Sequence, residues 1–123
     1  MKIKVLKVEP RKKPEVVEID DGLSSLQHEV DGYIEVCYPF DDDYACIVLN
    51  EEGKLGGYEP NRAILDGNEI VDIVFGTFLV VGMNNDEDTF VSLTDEQVKT
   101  YTEMYEKPEM FMMVNGRIKR FTL

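Results

Sequence analysis

The stretch from residue 69 to residue 82, Glu-Ile-Val-Asp-Ile-Val-Phe-Gly-Thr-Phe-Leu-Val-Val-Gly, constrains the fold more than any other part of the chain. It is the most apolar segment, and its β-branched and aromatic residues are typical of a strand buried within a sheet. Gly76 interrupts it, and a glycine inside a strand marks a bend or a break. The segment therefore predicts a central strand, bent or broken at Gly76.

Shorter patterns predict further strands on both sides of this segment. Asn115-Gly116 between two apolar runs is the strongest short-range signal for a β-hairpin. The glycines and the proline of residues 51–68 predict a long loop. The predicted strands are 2–8, 15–19, 33–38, 44–50, 69–82, 89–93, 110–114 and 117–121.

The hairpin of residues 33–38 and 44–50 has a predicted register. If its loop is symmetric, Ile34 faces Leu49 and Val36 faces Ile47 on a buried side. Cys37 then lies opposite Cys46 on the other side of the hairpin. Such a pair could oxidise in air, although a reducing compartment would keep both thiols free.

Two helices are expected, at about 22–30 and about 95–106. The first follows Asp20-Asp21-Gly22 and presents Leu23, Leu26 and Val30 at helical spacing. The second begins with the capping box Thr94-Asp95-Glu96-Gln97 and buries Val98, Tyr101 and Tyr105.

This order of elements predicts an α+β fold, a mostly antiparallel sheet of about six to eight short strands with two helices and a C-terminal hairpin. The chain has 123 residues, which fits a single acidic domain spanning 1–123. Residues 107–123 read as a basic hairpin extension of that domain.

Charge is distributed unevenly along the chain, whose formal net charge is −12. Residues 1–13 carry a net +5 and residues 107–123 a net +3. Residues 14–106 hold 23 acids against Lys54, Arg62 and Lys99, a net −20. Such a segment repels phosphate, which argues against direct nucleic-acid binding and favours a basic protein partner. A charge that serves only solubility is the simpler alternative.

Two acidic runs are the candidate partner surface. They lie in predicted turns, where carboxylates stay solvated and available. The second run loosely echoes a calcium loop, but Thr89 stands where the tight turn needs glycine and Asp95 where the bidentate glutamate belongs, so no metal site is expected. The candidate residues are Asp41, Asp42, Asp43, Asp86, Glu87 and Asp88.

A second candidate site is the glycine-rich stretch from residue 50 to residue 65. It contains Lys54, Asn61 and Arg62, and a glycine backbone lets N–H groups approach a phosphate closely. This arrangement suggests a site for a nucleotide or a phosphate. The spacing is not that of a P-loop, and a solvated turn with two cations is the simpler reading.

Enzyme chemistry is not expected. His28 is the sole histidine, and a hydrolase built on Ser25 and His28 would need an orienting acid and an oxyanion hole that the sequence does not indicate. Cys37 and Cys46 lack the further ligands of a zinc site. We therefore expect neither catalytic residues nor a cofactor.

Several segments resemble one known family, domain-of-unknown-function family 3846, small uncharacterised proteins of bacteriophages and bacterial mobile elements. The resemblance covers roughly residues 1–106 and leaves the C-terminal hairpin outside. It implies a mobile-element origin and raises the prospect of interference with host defence, but it carries no activity and no site residues. The segments are Gly32–Val36, Asn50–Leu55, Pro60–Ala63, Gly76–Gly82 and Val91–Glu96.

Three functions follow as hypotheses. The first is a non-catalytic factor whose acidic surface engages a basic host protein, as an anti-restriction protein or DNA mimic would. The second is a small-ligand binder that uses the stretch 50–65, and the third is a structural interaction module, monomeric or homodimeric. The alternating start Met1-Lys2-Ile3-Lys4-Val5 is unlike a signal peptide, and no long apolar run is present. We expect no membrane contact and a location in the cytoplasm of a bacterial host.

Overall fold

The computed structural model describes residues 1–84 and 89–123, and it has the predicted α+β architecture with a mostly antiparallel sheet. The strands are β1 Lys2–Val8, β2 Glu15–Asp20, β3 Ile34–Cys37, β4 Ala45–Asn50, β5 Pro60–Asp66, β6 Glu69–Phe75, β7 Phe78–Asn84, β8 Thr89–Val91, β9 Glu109–Val114 and β10 Arg117–Thr122. The helices are α1 Leu23–Val30 and α2 Asp95–Tyr105.

The main sheet is antiparallel and has β7 at its centre. Its order is β2-β1-β7-β4-β3, and β8 pairs with the second half of β7. Residues 78–83 of β7 are all buried, because helices cover the sheet on both faces. The prediction that the most apolar segment supplies the central strand is therefore confirmed for its second half.

The first half of that segment behaves differently. The predicted strand is divided into two separate strands at Gly76, whose φ of 82° is a conformation that favours glycine. β6 leaves the main sheet and pairs with β5 in a separate two-stranded sheet. β5 lies within the predicted loop 51–68, so that prediction was wrong for residues 60–66. The glycines before Pro60 do mark a turn, but polar Asn61 and Arg62 concealed the strand that follows.

The two helices bury opposite faces of the main sheet. On one face, Leu26 and Val30 of α1 pack with residues that include Val48 and Val81. On the other face, Tyr101 and Tyr105 of α2 pack with residues that include Ile47 and Phe78. Each fully buried aliphatic or aromatic side chain stabilises such a core by about 1.5–3 kcal/mol. Leu23 was expected in the buried stripe of α1, but it begins the helix and is exposed.

The predicted register of the β3–β4 hairpin was wrong by one residue. Ile34 pairs with Asn50, Val36 with Val48 and Cys37 with Ile47. A slip of one residue exchanges the faces of every side chain, so Cys46 joins the core under α1 while Cys37 packs against the core under α2. β4 is apolar on both sides, so its alternation could not specify the register.

Two local signatures hold as predicted. In the capping box, Gln97 N donates to Thr94 Oγ1 over 3.1 Å, and Thr94 N donates to Gln97 Oε1 over 2.9 Å. Asn115 and Gly116 adopt φ values of 50° and 78°, as a tight hairpin turn requires. β9 and β10 form their own two-stranded sheet, and every residue of β10 is exposed.

Candidate functional site

Two residues of the predicted ligand loop, Asn61 and Arg62, are fully buried in β5. Asn61 Nδ2 donates to the carbonyl oxygens of Val8 and Gly76, over 2.8 and 2.9 Å. It therefore joins the end of β1 to the corner between β6 and β7. These are structural hydrogen bonds, and they occupy both donors of the amide.

Arg62 spreads its guanidinium over three chain segments. Its Nη2 donates to the carbonyl oxygens of Lys12 and Tyr105, over 2.7 and 2.8 Å, and its Nη1 donates to Asn61 Oδ1 over 2.8 Å. Tyr105 is the last residue of α2, where a cation also complements the helix dipole. Burial lowers the pKa of Arg62, while the charge of nearby Glu109 acts to raise it.

Glu109, at the start of β9, is buried beside this group. Its Oε1 accepts from Ala63 N over 2.9 Å, and its Oε2 accepts from Arg120 over 3.3 Å. Asn61, Arg62 and Glu109, here called the interior clamp, thus join β5 to β1, α2 and the C-terminal hairpin. The Pro-Asn-Arg-Ala step that carried part of the family resemblance contains the first two of these residues.

Lys54, the third residue of the predicted ligand loop, points elsewhere. Its ammonium is exposed and forms an ion pair with Asp72 of β6. Arg62 is meanwhile fully engaged inside the protein. The structure therefore does not bring Lys54, Asn61 and Arg62 together around an open phosphate site.

Asp42 anchors the loop of residues 39–44, between β3 and β4, to α2. Its carboxylate accepts from Tyr44 N over 2.8 Å, Gln97 Nε2 over 2.9 Å and Tyr101 Oη over 3.1 Å. Burial acts to raise the pKa of Asp42, but these hydrogen bonds outweigh it and hold the pKa below its ordinary value. Phe40 packs on Tyr101 with ring centroids 4.3 Å apart. The loop is therefore fixed in place.

The carboxylates flanking Asp42 are free. Within the described parts of the chain, no cation lies in salt-bridge range of the exposed groups Asp41 and Asp43. The same holds for Asp66, which lines a groove with Asp41, for Glu96, which lines a groove with Asp42, and for Glu103 on the exposed face of α2. We call this group the acidic ridge: Asp41, Asp43, Asp66, Glu96 and Glu103. The predicted surface residues Asp86, Glu87 and Asp88 lie outside the described residues.

Two grooves flank the contact between Asp42 and α2. One, of about 500 Å³, has Glu96 and Thr100 in its wall. The other, of about 520 Å³, is bordered by Asp41, Asp66 and exposed Met104, with Phe40 on the same wall. The two grooves share Asp42, Thr100 and Tyr101. Acidic side chains and apolar surface are therefore interleaved across this side of the molecule.

Elsewhere, much of the charge is neutralised locally. Lys2, Lys4 and Lys7 of β1 lie opposite Asp20, Glu18 and Glu15 of β2 in the sheet register. Lys7 also forms an ion pair with Glu29 over 2.9 Å, and this hydrogen bond raises the pKa of Lys7. The cations of residues 1–13 therefore neutralise part of the negative charge of residues 14–106. Net charges summed separately for the two segments do not show this.

Sequence reasoning missed three members of the acidic ridge: Asp66, Glu96 and Glu103. One signal for Glu96 and Glu103 was present, because they lie opposite the predicted buried stripe of Val98, Tyr101 and Tyr105 on the helical wheel. Asp66 was missed because β5, whose last residue it is, was predicted to be part of a loop. It becomes a neighbour of Asp41 through tertiary packing alone.

Other candidate groups show no catalytic arrangement. His28 is exposed on α1, and in residues 1–84 and 89–123 no hydrogen bond joins it to Ser25. Burial raises the pKa of Cys37 to about 11 and that of Cys46 to about 12, so both thiols are protonated at neutral pH. Among the described residues, no three His, Cys, Asp or Glu side chains converge on a common metal position. Neither described helix has the length and apolarity to cross a bilayer.

Comparison with known proteins gives one relationship. No curated protein and no solved structure matches the chain. One family model matches residues 1–106, which contain the main sheet, both helices, β5 and β6, and all five residues of the acidic ridge. The C-terminal hairpin lies beyond the matched span. The chain therefore belongs to the DUF3846 family, a domain of unknown function.

Proposed function

We propose that this protein is a non-catalytic binding factor whose acidic ridge engages a basic surface on another protein. The supporting observation is that Asp41 and Asp43 are exposed and lack a cationic partner within the described residues, on a loop that Asp42 fixes to α2. A pre-organised array of like charges gains more from a complementary partner than a mobile one does, because less side-chain and loop entropy is lost on binding.

The β1–β2 edge of the main sheet is a weaker candidate than the acidic ridge. Each of the three lysines of β1 lies opposite an acid of β2 in the sheet register, so that edge carries more balanced charge. The acidic ridge holds five acids against one nearby cation, exposed Lys99 on α2, and so remains negative. A potential of one sign steers an oppositely charged partner into contact.

The partner class we propose is a host protein with a basic groove that normally holds nucleic acid. Such grooves present lysine and arginine side chains spaced for phosphates, and rigid carboxylates can occupy the same positions. The mobile-element setting suggested by the family resemblance fits an anti-restriction or other anti-defence role in the bacterial cytoplasm. The small-ligand alternative receives no support from the geometry, since Asn61 and Arg62 are buried and already hydrogen-bonded.

The test is competition on a panel of purified restriction and recombination nucleases. Each enzyme is immobilised, and retention of the protein is measured at about 50 mM and about 500 mM salt, with and without duplex DNA. We expect retention of the protein by at least one enzyme at low salt, displacement by duplex DNA and loss of binding at high salt.

Two variants of equal charge make the test specific. The ridge variant is Asp41→Asn, Asp43→Asn, Glu96→Gln and Glu103→Gln, and the control is Glu18→Gln, Glu35→Gln, Glu51→Gln and Glu69→Gln, all exposed acids outside the ridge. We expect the ridge variant to bind at least about tenfold more weakly while the control stays close to wild type. Equal loss in both variants would show a dependence on net charge alone and would overturn the proposal.

A further inference from the structure

The C-terminal hairpin exposes a face of unusual composition. Cross-strand partners share a face, and the ion pair of Glu109 with Arg120 marks the face whose base is directed at the body of the protein. The far end of that face, at Met113 and Ile118, is exposed as well. The opposite face carries the pairs Met110–Phe121, Met112–Lys119 and Val114–Arg117. We call these six residues the outer hairpin face. Met110, Met112 and Phe121 remain 51%, 55% and 46% exposed.

Charge determines what can cover this face. Arg117 and Lys119 have no acidic partner within salt-bridge range in residues 1–84 and 89–123, and the outer hairpin face contains no acid. Stacking of two outer hairpin faces would bring four cations together, which opposes self-stacking. Pairing of two β10 edges would likewise bring together two strands that each carry Arg117, Lys119 and Arg120. The occupant must therefore be both apolar and acidic.

The protein itself carries a surface of that kind. The groove of about 520 Å³ beside the acidic ridge exposes Met104 and has Phe40 in its wall, with Asp41 and Asp66 at its border. Arg120 also lines this groove, but Glu109 neutralises it through an ion pair of 3.3 Å. Methionine side chains adapt to irregular apolar surfaces, and Arg117 and Lys119 complement the carboxylates. The same two surfaces are present on every copy, so two copies can make the contact twice around a two-fold axis.

We propose that the chain forms a reciprocal homodimer in which the outer hairpin face of each copy docks on the acidic ridge and adjoining groove of the other. The proposal uses the acidic ridge of the proposed function and adds a regulatory consequence. The dimer covers the ridge, so a basic partner must displace the hairpin of the second copy in order to bind.

The test is a charge exchange followed by sedimentation equilibrium at low salt. Variant one is Arg117→Glu with Lys119→Glu, and variant two is Asp41→Lys with Asp43→Lys. We expect the wild-type chain to dimerise and each variant alone to be monomeric, with a dissociation constant raised at least about tenfold. An equimolar mixture of the two variants should restore a dimer, since each hairpin then meets a surface of opposite charge.

A matched control is Lys12→Glu with Lys13→Glu, which changes the net charge equally in the exposed β1–β2 turn and should dimerise like wild type. A wild-type monomer at every concentration would overturn the proposal, as would a dimer that survives in either variant or a mixture that stays monomeric. Binding to nucleases is scored separately with variant one, which retains the ridge. A wild-type chain that stays monomeric but still binds a nuclease would thus contradict only the homodimer. A dimeric wild type whose monomeric variant one binds no nuclease would contradict only the proposed function.

Discussion

The interior clamp and the acidic ridge contain the same kinds of side chain in opposite situations. In the clamp, Arg62 and Glu109 are buried. Arg62 donates to two backbone carbonyls and to the side chain of Asn61, and Glu109 accepts from the backbone of Ala63 and the side chain of Arg120. On the ridge, Asp41 and Asp43 are exposed and have no cation in salt-bridge range among the described residues. The first group holds segments of the fold together, and the second is available to a partner.

This difference shows that residue type alone does not identify a binding site. A lone arginine next to glycines suggests phosphate binding, yet the buried Arg62 hydrogen-bonds the last carbonyl of α2 and the β1–β2 turn. A run of three aspartates suggests one uniform charged surface, yet its middle member is structural, while its neighbours have no ion-pair partner in residues 1–84 and 89–123. Removing clamp residues should therefore affect stability, and removing ridge residues should affect binding.

The largest effect is expected from Arg62→Met. The substitution leaves the buried carbonyl oxygen of Tyr105 and the partly buried carbonyl oxygen of Lys12 without their donor, and it removes the cation near Glu109. Breaking a buried charged network by removal of one member costs about 3–5 kcal/mol. Urea denaturation followed by circular dichroism measures the change in the free energy of unfolding.

The control for Arg62→Met is Lys13→Ala, which removes one exposed cation from the neighbouring turn. It should change the free energy of unfolding by less than about 0.5 kcal/mol. If Arg62→Met proves as stable as Lys13→Ala, the clamp does not hold the fold, and the contrast with the ridge disappears.

Asp42→Ala should have an intermediate effect on stability. Asp42 lies on the exposed loop of residues 39–44, between the ridge residues Asp41 and Asp43, but its carboxylate is hydrogen-bonded as that of Glu109 in the interior clamp is. Loss of its hydrogen bonds to Gln97 and Tyr101 should lower the free energy of unfolding by about 1–2 kcal/mol. Thermal and urea unfolding measure this change. The neighbouring variant Asp43→Ala is the matched control and should be close to wild type.

The contribution of Asp42 should also depend on pH. Its pKa in the folded protein lies below the ordinary value of 3.8. The stabilisation is therefore present above about pH 4 and is lost as the pH falls through the lower folded-state pKa. The difference in unfolding free energy between wild type and Asp42→Asn should shrink over that acidic range. A difference that grows with acidification would contradict the assigned hydrogen bonds.

Thr94→Ala should cost about 1 kcal/mol, because it removes the acceptor that Gln97 N uses at the start of α2. The ridge member Glu96 sits on the same helical turn, so a frayed turn should also weaken partner binding slightly. Differential scanning calorimetry measures the stability change, and Thr94→Ser, which restores the hydroxyl, serves as the control. An unchanged melting temperature in Thr94→Ala would show that the cap does not hold the ridge in position.

The smallest effect on stability is expected on the ridge itself. Glu103→Gln removes an exposed charge with no ion-pair partner among the described residues, so the unfolding free energy should change by less than about 0.5 kcal/mol. Removal of like-charge repulsion could make the variant slightly more stable. A loss above about 1 kcal/mol in urea denaturation would place Glu103 among the structural residues instead.

Sequence patterns predicted the features that depend on neighbouring residues. The capping box of α2, the Asn115-Gly116 hairpin and the apolar central strand each have a local signature, and all three are present. Features set by tertiary contact were missed. The register of β3 with β4 failed because β4 is buried on both faces, and β5 was hidden because Asn61 and Arg62 look like solvent-exposed residues.

The residues of the candidate surface also fall into two groups, those predictable from local sequence and those that depend on tertiary contacts. Asp41 and Asp43 were predictable as exposed turn residues, whereas the role of Asp42 depends on Gln97 and Tyr101, far away in the chain. Asp66 lies close to Asp41 only because β5 is a strand that ends beside the loop of residues 39–44. No pattern of neighbouring residues encodes that proximity.

The most direct measurement is a backbone amide NMR titration of the protein with an oligo-arginine peptide at low salt. Our account predicts saturable shift changes concentrated in residues 41–43, 66 and 96–104, with little change around Lys54 and Arg62. Weak shifts spread evenly over all exposed acids, or changes centred on residues 50–62, would contradict it.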